Sequence, residues 1–126
     1  MAFWLFFTAM DLLIPAIMVG FGRRFLKHPP KTINALYGYR TARSMKNQET
    51  WNFAHETCGR LWVRLGKLSF LPALLAAVLT FGRGIETVSV VSVVVVTIQT
   101  HALIGSIFPV ERALKRNFDD SGRKRS

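Results

Sequence analysis

Three long runs almost free of charge constrain this chain more than any other feature. From Ala2 to Gly22 the only charged residue is Asp11, and a helix rising about 1.5 Å per residue over that run crosses the roughly 30 Å of a bilayer's hydrocarbon. A second run extends from Leu68 to Gly82, with Lys67 just before it placed to lay its stem along the helix and lift its amine to the headgroups. The third, Ile85 to Phe108, includes Val93 to Val96 in succession. A buried strand can be this apolar but not this long, and in lipid the helix wins because it satisfies every backbone N–H and C=O internally. Only Gly82, Arg83 and Gly84 separate runs two and three, which predicts a tight antiparallel hairpin. A secretory signal peptide is a poor account of the first run: no basic segment precedes Phe3, no small-residue cleavage pattern follows Gly20, and the run is too long.

Apart from Asp11 and Glu86, charge lies outside these runs. The 126 residues are 50% hydrophobic, yet carry 17 Lys and Arg against 7 Asp and Glu, for a net charge of +10. In a soluble domain that surplus would suggest nucleic acid. Here Arg23, Arg24, Lys27, Lys31, Arg40, Arg43, Lys46, Arg60, Arg64 and Lys67 lie between the first two spans, and Arg112, Lys115, Arg116, Arg123, Lys124 and Arg125 follow the third. Arg83 alone falls on the other side, so the positive-inside rule predicts an outside N-terminus, a cytoplasmic loop over 23–65 and a cytoplasmic tail over 109–126. The length allows one domain, and the single Cys58 excludes an internal disulfide framework and any cysteine-based zinc cluster.

Within the loop, Pro29 and Pro30 block helix continuation. Helical periodicity resumes at Asn47, a candidate cap, with Glu49 favourable in the first turn. Trp51, Ala54, Cys58, Leu61, Trp62 and Leu65 form one apolar stripe, and Asn52, Glu56, Arg60 and Arg64 stack opposite. Two tryptophans and a basic outer face predict an amphipathic helix, about 47–65, lying among anionic headgroups of the cytoplasmic leaflet. A helix docked there is badly placed for a major groove, so no nucleic-acid partner is expected. The expected fold is an all-α integral membrane protein: transmembrane helices at about 2–22, 66–82 and 85–108, plus that interfacial helix.

Intramembrane polarity is concentrated in few residues. A carboxylate near mid-bilayer costs at least ~2.5 kcal/mol, so Asp11 should face protein. Spans one and three run in the same direction, which puts Asp11 level with Ser92 to Thr97. On a helical wheel Glu86, Ser89, Ser92, Thr97, Gln99, Thr100 and His101 make a polar arc able to receive it, opposite a strip of Val91, Val95, Ile98 and Ala102. The structural reading is an interhelical hydrogen bond. The functional alternative is a proton or cation relay through Asp11 and His101, the basis of a small ion-coupled transporter. Ser69, Ala73, Ala76 and Thr80 give the second span a small-residue face, and unfilled polar and small surface suggests a homo-oligomer. His55 and Cys58 are half of a metal site with no second pair, so neither metal nor other cofactor is expected. With no nucleophile–base pair, phosphate loop or HExxH, no enzyme is expected either.

Between the prolines and the helix, Gly38 permits a turn, Tyr37 and Tyr39 suit an interface, and Arg40 offers a fork of donors for phosphate or carboxylate. Residues 34–46 thus make either a headgroup-binding loop or a specific anion or partner site. The run GYRTARSMKNQETWNFAHETCG, residues 38 to 59, resembles the signature of the SdpI family, bacterial membrane proteins named for an immunity protein against a secreted peptide toxin. The likeness extends to LLIP at Leu12 to Pro15, the three-span layout and ERALKRNFDDSG from Glu111. The resemblance implies a short member in the bacterial cytoplasmic membrane, conferring resistance to an antimicrobial peptide. A scaffold or sensor binding a cytoplasmic protein is the alternative. The resemblance points to Gly38, Tyr39, Arg40, Thr41, Ser44, Asn47, Trp51, Ala54, His55 and Gly59 as the motif.

Overall fold

A computed structural model describes residues 1–125 and places them in α1 (Ala2–Lys27), α2 (Gln48–Thr80), α3 (Ile85–Gly105) and α4 (Ile107–Asn117). Ser126, the last residue of the expected tail, lies outside the described residues. Among those residues the only extended pairing is a single bridge between Phe118 and Lys124. Three stretches are long and apolar enough to cross a membrane: α1, α2, and α3 taken with α4.

Local chemistry sets the boundaries. His28 leaves the helical conformation and Pro29 and Pro30 follow, so α1 stops at Lys27. Asn47 opens α2 with a reciprocal cap, in which its side-chain oxygen accepts from Thr50 N at 2.9 Å and Thr50 Oγ1 accepts from Asn47 N at 3.1 Å. The turn between α2 and α3 needs Gly82 at φ +80°, and Arg83 N closes it on Thr80 O at 3.0 Å.

Two expectations are corrected. The amphipathic helix expected at about 47–65 is not a separate element; it is the first half of an unbroken α2. No proline interrupts the chain between Gln48 and Leu71, and one continuous face, from Trp51 through Ala54, Cys58, Gly59, Gly66, Ser69, Ala73 and Ala76 to Thr80, is buried against protein. The tryptophans therefore point inward: Trp51 is fully buried, and Trp62 Nε1 donates to Ser106 Oγ at 3.0 Å. The third run, expected to 108, breaks at Ser106, and α4 packs Val110 and Leu114 back into a core with Phe25, Tyr39, Ala54, Cys58 and Phe118.

Helices α1 and α2 run antiparallel over their lengths. Trp4 Nε1 donates to Ala77 O at 3.1 Å and its ring meets Phe81 edge-on, 5.2 Å between centroids, at one end. At the other, basic end the backbones cross at glycines: a Cβ on Gly22 would lie 2.9 Å from Gly59 O, and one on Gly59 would lie 2.8 Å from Gly22 O. Gly66 is pressed in the same way against Met18 and Val19. Close approach through small residues replaces the hydrophobic drive that lipid cannot supply. The outer face of α2, Leu71, Leu74, Leu75, Val78 and Leu79, stays exposed, as a lipid-facing surface should.

Gly59→Val should wedge the crossing apart and cost about 1–3 kcal/mol, read as a fall in thermal-unfolding midpoint in detergent. Gly20→Ala, where a Cβ meets nothing within 4 Å, should leave the midpoint unchanged or raise it.

Candidate functional site

The motif at the basic end is a hydrogen-bonded unit built around His55. His55 Nδ1–H donates to Trp51 O at 2.8 Å, which leaves Nε2 as the acceptor for the Tyr39 N–H at 2.9 Å. This fixes the neutral Nδ1–H tautomer. Gly38, at φ +118°, has to be glycine on two counts: its backbone is left-handed, and a Cβ would sit 2.6 Å from His55 Nε2. Trp51 packs its ring, tilted by 48°, against His55 at 4.4 Å between centroids and donates Nε1–H to Pro30 O at 2.7 Å, tying the proline connector to α2.

Tyr39 faces inward. Its hydroxyl donates to Glu111 Oε2 at 2.7 Å, and the Thr41 hydroxyl donates to the same oxygen at 2.9 Å. Burial first, and then the Glu111 carboxylate, push the Tyr39 phenol above its usual range, so it stays a donor. Ser44 closes the turn: its Oγ accepts from Thr41 N at 2.8 Å and donates to Tyr39 O at 2.9 Å, while Ser44 O accepts from Thr50 Oγ1 at 3.0 Å. The C-terminal segment covers this unit. Asn47 Nδ2 donates to Gly122 O at 2.7 Å, and Arg43 pairs with Asp120 at 3.3 Å. Hydrogen bonds from Ser121 and Arg123 hold the Asp119 carboxyl below its usual range and shape the covering turn.

Arg40 differs from its neighbours. It is exposed, donates only to Ala35 O at 2.5 Å, and stands at the rim of a hollow of about 310 Å³ walled by Phe25, Tyr39, Trp62, Ile104 and Ile107. The rim thus joins an apolar floor to a cationic fork, which suits a ligand with an apolar body and an anionic head. Ala54 lies in the core, and Gly59 serves the helix crossing.

A second polar group lies inside the apolar region. Asp11 is buried and its Oδ1 accepts from Ser92 Oγ at 2.5 Å. Gln99 Nε2 donates to Asp11 O at 2.9 Å and to Ser69 O at 3.2 Å, joining α1, α2 and α3 through one carboxamide. The Asp11 carbonyl needs that donor because Pro15, four residues on, has no N–H to return. His101 does not join this group: it is exposed and its Nδ1–H donates to Thr97 O at 2.8 Å. Glu86 is exposed near the start of α3. The relay expected through Asp11 and His101 is therefore not assembled, because His101 leaves α3 on a different face from Ser92 and Gln99, which meet Asp11.

In the sequence Glu111 stands only as part of a tail motif, with no sign of its contact with Tyr39 and Thr41. Nothing local connects residues 70 and 72 positions apart. The tie of Gln99 to Asp11 did have a signal, the proline four residues after the aspartate.

A model of the SdpI/YfhL protein family matches residues 31–110, which take in the motif, α2, α3 and the start of α4. A stretch of 38 residues is 50% identical to the uncharacterized protein YfhL of Bacillus subtilis (strain 168). That stretch is 30% of this chain and 34% of the relative's length. No solved structure matches.

His55→Phe keeps the ring packing but leaves a buried Tyr39 N–H without an acceptor, a loss of about 1–3 kcal/mol to be read from thermal unfolding. In a Tyr37→Phe background Tyr39 is the one tyrosine left, so its absorbance titration isolates the phenol. Tyrosinate should not form through the usual range near pH 10 while the protein is folded. The stability contributed by the protonated phenol is complete below that range and is lost as pH rises through the higher folded value.

Proposed function

The chain belongs to the SdpI/YfhL protein family, and on that premise we propose that this multi-pass membrane protein gives a bacterial cell resistance to an antimicrobial peptide toxin. It acts by binding rather than catalysis, from the cytoplasmic membrane, with its N-terminus outside and its basic loop and tail in the cytoplasm. Support for the orientation comes from the sixteen basic residues that flank the spans on one side, against Arg83 alone on the other.

The observation that carries this reading is the posture of Arg40. Tyr39, Thr41, Ser44, Asn47, Trp51 and His55 spend their polar groups on one another, on Pro30 and on the tail. Arg40 is left facing outward at the edge of an apolar hollow. A membrane-active peptide, or the membrane component it attacks, combines apolar side chains with carboxylate or phosphate groups. Arg40 binds that anionic group bidentately while the hollow takes an apolar side chain, and anionic headgroups engage the surrounding basic residues.

The test is survival of a peptide-sensitive bacterium expressing the wild type or Arg40→Ala at matched membrane levels. Wild type should protect against at least one peptide of a panel, and Arg40→Ala should lose at least tenfold of that protection, the loss of about 1.4 kcal/mol of binding. Equal protection by both proteins would remove Arg40 from the mechanism, and no protection by the wild type would end the immunity reading.

A further inference from the structure

The lone carboxylate inside the apolar region has no counter-charge. Asp11 is 4% exposed, and its hydrogen bond from Ser92 supplies a dipole but no positive charge. Ion pairs among the described residues join Arg43 to Asp120 and Arg60 to Glu56, and neither reaches it. Each element packed against Asp11 is neutral at that depth. Within α1 the nearest basic residue is Arg23; α2 carries no charge from Leu68 to its end at Thr80; and on α3 the nearest titratable groups, Glu86 and His101, are exposed on other faces. A bare carboxylate in such surroundings is costly unless something neutralises it.

Gln99 supplies the second, independent observation. Both partners of its Nε2 are backbone carbonyls, so that end must be the NH₂, and the amide orientation is fixed by chemistry. Its Oε1 is then an acceptor, and it is buried with no donor. Gln99 is 1% exposed, and its carboxamide lies against residue 11 itself. One uncompensated negative charge and one unsatisfied acceptor thus belong to two residues already joined through Gln99 Nε2 and the Asp11 carbonyl. A single hydrogen ion on the carboxylate removes both defects, because the resulting O–H is the missing donor. A metal cation fits less well, since it takes about six oxygens and the Ser92 hydroxyl already turns its proton toward Asp11.

We propose that Asp11 is a proton-binding site: one proton taken from water onto the free carboxylate oxygen is donated to Gln99 Oε1 and locks α1 against α3. The proton adds one covalent O–H bond and discharges the carboxylate, and no other atom moves between groups. Releasing it restores a negative charge between packed helices, so the contact of α1 with α3 opens as pH rises.

Isotope-edited infrared spectroscopy of the full-length protein in lipid nanodiscs tests this. Asp119→Asn with Asp120→Asn leaves Asp11 as the one aspartate, which is then labelled with carbon-13. The expected result is a labelled carbonyl stretch of a hydrogen-bonded carboxylic acid at neutral pH, lost in alkali and shifted by Gln99→Leu. Carboxylate stretches alone at neutral pH would overturn the proposal, as would bands that follow sodium concentration at constant pH. An acid band unmoved in Gln99→Leu would remove Gln99 as the acceptor and with it the lock. The thermal midpoint of the wild type should fall from neutral to alkaline pH, and Asp11→Asn should flatten that dependence. If Asp11→Asn fails to fold, the infrared reading on the aspartate-containing protein still decides.

Discussion

Backbone groups inside a membrane have no water to turn to, and one carboxamide answers much of that demand here. Pro15 deprives the Asp11 carbonyl of its helical donor, and Gln99 Nε2 replaces it while also reaching Ser69 O on α2. A break in one helix thus becomes a contact among three. The proline, the aspartate and the glutamine are one device: without the missing N–H the glutamine would lack half its reason to point inward, and without the glutamine the break would leave an orphaned carbonyl. The small face of Ser69, Ala73, Ala76 and Thr80 lets α2 come near enough for that reach.

Around this polar tie the packing is divided by depth. Toward the basic end, aromatic and aliphatic side chains from α1, the loop, α2 and α4 make the larger core, with Phe25 edge-on to His55 at 4.9 Å. Toward the other end only Ala73, Ala76 and Val95, with Leu12 and Val91 beside them, form a small cluster. Specificity of fold therefore lies chiefly in the loop and helix ends, whereas the mid-depth contacts depend on close backbone approach and hydrogen bonds. The motif residues 38–55 belong to the first category, and most of them hold one another in place beside the exposed Arg40.

What the sequence disclosed follows the range of the interactions involved. The three long apolar stretches were legible because lipid imposes length and hydropathy on a helix regardless of its partners. The Asn47 cap was legible because its partner is Thr50, three residues away, and Asp11 could be set level with Ser92 because helix rise is a constant. The direction of the Trp51 stripe was not. An apolar stripe looks the same whether lipid or protein covers it, and the cover here comes from α1, the loop and α4 together. For the same reason Tyr39 and Trp51 read as interface residues although both are buried. In the site, Gly38 and Arg40 were recognisable by type, but the pairing of Tyr39 and Thr41 with Glu111 needed the fold.

The clasp of the loop by the tail also imposes an order on biogenesis. Residues 38–47 leave the ribosome early, yet Thr41 must wait for Glu111, made 70 residues later, and Asn47 for Gly122, made 75 residues later. The hairpin of α1 and α2 has all its glycine contacts once residue 66 is made, so helix pairing is free to precede loop closure. The loop with its outward arginine is thus the last part of the molecule to set, and it sets only on a chain whose later segments have been translated.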